Sequence, residues 1–375
     1  MSVAFVYSRS LERFDYGSSH PLRIERLGLT RSLMEQYGLL EHPDLFWLEA
    51  EPARMEHLTA FHTEEYLAAL RQTDKGGARS ALSIFGLGVE DNPAFPGMYD
   101  WSVLLTGASL QAGQAVLEGR ANIAFSISGG MHHAFRSRAS GFCYINDPVV
   151  TIMHLLANGQ RVAYVDLDAH HGDGVQAAFY QTDQVLTISL HQSGRSLFPG
   201  TGFVREQGDG AGYGYSVSLP FMPYTDSEIY LWAFEQIVPP LVKAFKPDIL
   251  VTQLGVDAML EDPLANLCLS EGAIIEACRQ FKNLSDHWVA LGGGGYDIVT
   301  VARCWTLALA EMLGVDLPNE LPARFLPRLR DLEPDRRLLR DGERIVRGPQ
   351  RRKAEEETKR LVGVLKETIF PIHGL

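Results

Sequence analysis

Residues 162–173 read Val-Ala-Tyr-Val-Asp-Leu-Asp-Ala-His-His-Gly-Asp, an apolar run that ends abruptly in acids and imidazoles. The run 162–165 is too short for a helix, is rich in β-branched residues and reads as a buried strand. The same form recurs at 123–127 before SGGMHH, 185–190 before HQSG, 249–254 before GVD and 288–291 before GGGGY. Helical segments are expected between and around these runs, at 21–37 with proline at its start, 107–117, 227–245 and 271–281. Strands alternating with helices predict an α/β fold, a single domain with a central parallel β-sheet flanked by helices. In such sheets ligands bind beyond the carboxyl ends of the strands. Here five separate segments deliver His, Asp and Gly to that one edge.

Asp166, Asp168 and His170 stand two apart, so in an extended chain they share a face. Two carboxylates and an imidazole converging at a strand end form part of a metal site. A lone Asp-x-His reads more readily as a solvated loop with a hydrogen-bonded His; closing an apolar strand favours the metal. A further ligand must come from elsewhere, and Asp257, just past the run 249–254, is the natural candidate, although by itself it reads as a turn residue. One His and two carboxylates leave a metal nearly neutral, with positions open for water and a substrate carbonyl.

His132 and His133 follow a glycine turn after the run 123–127. Tandem histidines can be an ordinary loop; beside a metal they would carry protons near neutral pH. Asp166 and Asp173 are the spare carboxylates that could fix their tautomers. Gly292–Gly295 with Tyr296 is not a Walker phosphate loop, because no Lys-Ser/Thr follows. Four glycines let the backbone approach a bound group closely, and Tyr296 could then hold the oxyanion of a tetrahedral intermediate.

The 375 residues are 46% hydrophobic and include four cysteines without C-x-x-C spacing, which reads as reduced thiols in a cytoplasmic protein. The N-terminal stretch lacks a signal-peptide core, and no run reaches the ~18 apolar residues of a membrane span. The formal charge of −12 is uneven: residues 324–375 hold 14 Lys/Arg against 9 Asp/Glu, a net +5, so residues 1–323 carry −17. An acidic body argues against nucleic acid as a partner and mildly favours cationic ones, although such charge also serves solubility. Past Leu317 the chain is rich in arginine, and residues 318–375 are expected to form a peripheral helical tail beside a catalytic domain spanning 1–317.

Taken together, these residues make the chain resemble the histone deacetylase family, most closely its class I and bacterial acetoin-utilisation branches. The likeness runs from about Tyr16 to Trp305 through DYGSSHPLRIERL, EDNPAFPGMY, GGMHHAFRSRASGFCYIND, YVDLDAHHGDGVQAAFY, TISLHQ, FPGTG, QLGVDA and LGGGGY, then VARCW, in family order. It implies an arginase/deacetylase-like fold and a zinc-dependent amidohydrolase that removes acetyl groups from acetyl-lysine in proteins, or from small acetylated amines. Asp168, His170 and Asp257 match the zinc ligands, with Fe2+ as an alternative ion. His133 matches the proton carrier, His132 its electrostatic partner, Asp166 and Asp173 the carboxylates orienting them, and Tyr296 the oxyanion donor. Phe142 and Phe198 match the walls of the acyl-lysine channel, with Gly141 and Leu264 beside them and Asp91 at the rim. Arg26 matches the arginine of an internal cavity that passes acetate. The family also binds K+ or Na+. One such site corresponds to Asp166, Asp168, His170, Ser189 and Leu190, and a second to Phe179, Thr182, Val185 and Tyr215. Leu190 stands where many relatives carry an aromatic, and residues 74–90 look loop-like.

Three other readings compete with this one. An arginase-like two-metal site expects Asp where Gly172 stands and a second acid where Met259 stands. An acetylpolyamine amidohydrolase shares the chemistry, and FCYIND and FPGTG lean away from it. A catalytically dead acetyl-lysine scaffold conflicts with every catalytic position being filled.

Overall fold

The computed structural model describes residues 2–74 and 83–375. Among the described residues, eight strands form one sheet: β1 (Val3–Tyr7), β2 (Leu45–Glu49), β3 (Ile123–Ser126), β4 (Val162–Asp166), β5 (Val185–Gln192), β6 (Ser216–Phe221), β7 (Ile249–Gln253) and β8 (Trp288–Leu291). Their order is β2-β1-β3-β8-β7-β4-β5-β6, and every pairing is parallel. Every residue of β1, β3, β4, β7 and β8 is buried. Since alternate side chains point to opposite faces, both faces of the sheet are covered.

From β4 the chain builds outward through β5 and β6, then returns to lay β7 on the other side of β4. That reversal opens a crevice beyond the strand ends, where ligands bind in open α/β sheets. The four neighbours β3, β8, β7 and β4 all deliver their following loops there.

The five expected strands are present. Strands β1, β2 and β6 went unread, as no cluster of acids or histidines marks their ends. Pro220 is tolerated in β6 because that strand lies at the sheet edge. The expected helix 21–37 begins instead at Glu25 (Glu25–Gln36); before it, the Leu22 N–H turns back onto His20 Nδ1 at 3.1 Å. The helix expected from 107 begins at Met98 (Met98–Leu117). Gly107 is there for close approach rather than for a helix end, since a Cβ at that position would strike the Glu51 backbone. Asp74 closes a helix, Glu64–Asp74, and Ser83–Phe85 is a short 3-10 turn; residues 75–82 of the expected loop lie outside the described residues.

Near the C-terminus, the helix Pro349–Thr368 buries Ala354, Thr358, Leu361, Val362 and Leu365 against the helix Ser227–Phe245 and β6. Arg351 ties it to Asp226 at 2.6 Å. No helix among the described residues is long and apolar enough to cross a membrane.

Candidate active site

The segment after β4 folds back on its own acids. The Asp168 N–H donates to Asp166 Oδ1 (3.1 Å), and the His170 N–H donates to Asp168 Oδ1 (3.0 Å). These turns aim both side chains past the strand end. Asp257, from the loop after β7, completes the group: its Oδ1 accepts from the Ala169 N–H at 2.7 Å, and its Oδ2 lies 2.8 Å from His170 Nδ1. One ligand atom each from Asp168, His170 and Asp257 lies within 4.8 Å of the others, and all three residues are buried. Burial and the neighbouring Asp168 push Asp257 up to about 8, while burial opposes, and the two carboxylates overcome, the charge on His170, which is held up to about 10. Two buried carboxylates facing one imidazole call for a positive charge between them. The donor set, two oxygens and a nitrogen on one side, fits a divalent transition ion with free positions toward the channel.

The loop carrying the paired histidines is held from below. Asp147 accepts from the Gly130 and Met131 N–H groups at 2.9 and 2.8 Å, and Asn146 donates to the His132 and Ala134 carbonyls at 2.9 and 2.8 Å. His132 Nδ1 meets Asp166 Oδ2 and His133 Nδ1 meets Asp173 Oδ1, each at 2.7 Å. With both Nδ1 atoms donating to carboxylates, the two Nε2 atoms face one another at 3.0 Å, close enough to share a single proton. Burial disfavours charge on both rings. The carboxylates of Asp166 and Asp168 override it at His132, held up to about 9, whereas burial and the adjacent His132 push His133 down to about 4.

A cavity of about 210 Å³ leads down to this group, lined by Asp91, His133, Gly141, Phe142, His170, Leu197, Phe198, Leu264 and Tyr296. His132 does not line it. Phe198, 42% exposed, stands at the mouth, with its ring 5.0 Å from that of His133. Gly141 (φ +49°) has to be glycine, because a Cβ there would run into the His133 and Phe198 rings. Phe142 itself holds φ at +68°, and its carbonyl accepts from the Tyr16 hydroxyl at 2.7 Å. Tyr296 packs edge-on to Phe142 at 5.7 Å. Burial and the nearby Asp257 and Asp168 raise its phenol well above the usual range, so it stays protonated as a donor. A wider groove of about 390 Å³, lined by Glu51, His57 and His154, lies apart from this chemistry.

Arg26 is buried behind Tyr296, donating to the Gly295 carbonyl at 2.8 Å and lying over the Trp305 ring. Asp166 and Ser189 sit opposite one another across β4 and β5, with Leu190 next in β5. Phe179 and Thr182 form the turn before Val185, which opens β5, and the Tyr215 carbonyl accepts from the Thr187 N–H at 2.9 Å.

Sequence reasoning passed over the residues that hold these groups. Gln253 donates to Asp168 Oδ2 at 2.6 Å, and Tyr164 to Asp166 Oδ2 at 2.7 Å. Asp262 accepts from the Tyr296 and Leu264 N–H groups at 2.7 and 2.9 Å. The available signal was position: Gln253 closes β7, and Asn146-Asp147 end the FCYIND stretch.

The family profile described as the histone deacetylase domain matches residues 20–312. The acetoin utilization protein AcuC of Bacillus subtilis is 38% identical over 331 residues, covering 86% of this chain and 85% of that protein. The chain belongs to the histone deacetylase family. Human histone deacetylase 1 is 36% identical over 323 residues, 85% of this chain and 66% of that protein. Among solved structures, a histone deacetylase homolog from Aquifex aeolicus superposes with a TM-score of 0.89 at 35% identity, covering 98% of this chain and all of that one. A homolog complexed with SAHA gives a TM-score of 0.90 at 36% identity, with the same coverage. As a histone deacetylase family member the chain is a deacetylase, a hydrolase of a metal-dependent family, and its fold is the open parallel sheet of these relatives.

Proposed function

We propose that the chain is a zinc-dependent lysine deacetylase that hydrolyses the amide of acetyl-lysine in proteins. The observation that carries this reading is the triad Asp168, His170 and Asp257 at the floor of a narrow channel between Phe142 and Phe198. Such a tube takes an unbranched methylene stem and brings the acyl group at its far end to the floor. Asp168, His170 and Asp257 would hold a divalent ion, which would polarise the carbonyl as a Lewis acid and acidify water beside it.

The remaining steps belong to side chains. His133, the member of the pair that lines the channel, accepts a proton from the attacking water and delivers it to the amine nitrogen as the C–N bond breaks, giving acetate and free amine. Asp173 fixes its tautomer. His132, set behind it on Asp166, is its electrostatic partner. Tyr296 donates to the oxygen that becomes negative. The rim carboxylate of Asp91 is placed to accept from the substrate backbone. Arg26 is assigned to the passage of acetate. K+ or Na+ is assigned to Asp166, Asp168, His170, Ser189 and Leu190, and to the turn of Phe179, Thr182, Val185 and Tyr215. A cytoplasmic setting fits the four free cysteines.

The test is a panel of acetyl-lysine peptides and acetylpolyamines offered to zinc-loaded protein. Peptides are expected to be turned over with the higher kcat/KM; preference for polyamines would replace the peptide reading with that of a small-amine hydrolase. A hydroxamate on a slim linker should inhibit, and failure to do so would count against an open metal position below the channel.

A further inference from the structure

The channel walls come from segments without regular structure, and something must fix their separation. Phe198 lies within residues 193–207, Leu264 within 258–269, and the ligand His170 in the loop after β4. Gln192, the last residue of β5 and 1% exposed, bonds to all three. Its N–H donates to the Ala169 carbonyl at 2.8 Å, between Asp168 and His170. Its side-chain oxygen accepts from the Asn266 N–H at 2.7 Å, two residues past Leu264. Its side-chain nitrogen donates to Ser196 Oγ at 3.2 Å, two residues before Phe198.

The other ends of both wall segments are pinned elsewhere. Past Phe198, Thr201 Oγ1 lies 2.9 Å from His171 Nδ1, and the Gly202 carbonyl accepts from His191 Nε2 at 2.9 Å. Before Leu264, Asp262 carries the Leu264 and Tyr296 N–H groups. Each wall residue therefore sits between two anchors, and Gln192 supplies one anchor to each wall. A primary amide suits this place, because it offers a donor and an acceptor on opposite sides of one short planar group.

We infer that Gln192 is a positioning and specificity-determining residue: its amide straps the Phe198 and Leu264 walls together and so sets the width of the substrate channel. It touches neither the reacting atoms nor the metal ligands' side chains. Its loss should therefore act on stem recognition rather than on the chemical step. This inference rests on the deacetylase reading of the channel, not on the choice between lysine and polyamine substrates.

The test uses the full-length, zinc-loaded chain and whichever acetylated amine the native protein turns over better, so a polyamine result changes the substrate assignment and still measures the strap. Gln192→Leu keeps the volume and removes both side-chain bonds; Gln192→Glu keeps the acceptor and loses the donor; Ser196→Ala cuts the bond to the Phe198 segment alone. Gln192→Leu should raise KM about five- to tenfold, the scale of one or two buried hydrogen bonds, with kcat within about twofold. It should also erase most of the native preference for a hydroxamate with a straight aliphatic linker over one with a branched linker. Ser196→Ala should show a smaller change in the same direction, and Gln192→Glu should resemble it. An unchanged KM and linker preference in Gln192→Leu would overturn the strap. So would a fall in kcat matching a loss of bound zinc or of melting temperature, since that marks a merely structural residue. If Gln192→Leu does not fold, Ser196→Ala decides alone: an unaltered linker preference there also overturns it.

Discussion

The strand-end site and the helix Pro349–Thr368 are both held to the same sheet, yet by opposite means. At the site, Asp166, Asp168, Asp257, His132, His133 and His170 are all buried with their charges facing one another. At the helix, Leu361, Val362 and Leu365 are buried, and the charges of Lys359 and Arg360 pair at the surface. Apolar burial stabilises by roughly 25 cal/mol per Å², whereas buried like charges cost stability until a cation joins them. The difference teaches that the site is kept against stability and the helix for it. Substitutions in the two regions should therefore separate activity from stability.

The largest effect expected is at Asp257. Asp257→Asn should lose bound zinc and lower turnover by on the order of 10³ or more, because it removes Lewis-acid assistance worth several kcal/mol. Without metal, the same variant should melt no lower than the metal-free native chain, because burial and Asp168 already disfavour a charge at Asp257. Calorimetry with elemental analysis checks both, and a metal-free variant that melts clearly below the native chain would break the comparison.

Next come the paired histidines. His133→Ala should cost about 10²- to 10⁴-fold in kcat with zinc retained, and His132→Ala less, since His132 does not line the channel. Should His132→Ala prove dead while His133→Ala keeps substantial activity, the two roles must be exchanged. Tyr296→Phe should keep metal and fold and lose about 10²-fold in kcat, the usual worth of one oxyanion donor. At the other region, Leu365→Ala should cost about 2–5 kcal/mol of stability while the kcat of the folded fraction stays at the native value. An urea titration alongside initial rates measures both.

Much of the site was legible because its residues announce themselves locally. The apolar runs ending in DLDAHHGD, GGMHH, HQSG, GVD and GGGGY gave five strands and brought their clusters to one edge, where the structure gathers Asp168, His170, Asp257, His132, His133 and Tyr296. The channel residues Gly141, Phe142, Phe198 and Leu264 came from resemblance, since a lone Phe or Leu in a loop carries no pattern of its own. What stayed hidden was support at long range. Gln253 holds Asp168 across 85 residues of sequence, and Gln192 reaches Asn266 across 74. A single amide side chain has no periodicity, and its partner is chosen by the fold. Strands β1 and β2 were hidden for a related reason, as they complete the sheet without contributing to the site.

The smallest effect is expected at His62. His62 is buried, its Nδ1 3.2 Å from the Arg136 carbonyl and its Nε2 accepting from the Asn146 N–H at 3.0 Å. That pairing requires the neutral ring, and burial pushes its pKa down to about 4. The unfolded chain protonates near ~6.5 and so binds the extra proton first. The stability His62 contributes is therefore complete above ~6.5 and is lost as pH falls from there toward about 4. Melting temperature should decline across that window, and His62→Gln should flatten part of the decline. An identical slope in the variant would remove His62 from the account.

The most direct test of the central claim is a titration of zinc into the metal-free chain while acetate release from an acetyl-lysine peptide is followed. The rate should rise from near zero and level off at one equivalent per chain, with no rise in Asp257→Asn. A rate independent of zinc, or one that levels off only at two equivalents, would contradict a single metal held by Asp168, His170 and Asp257.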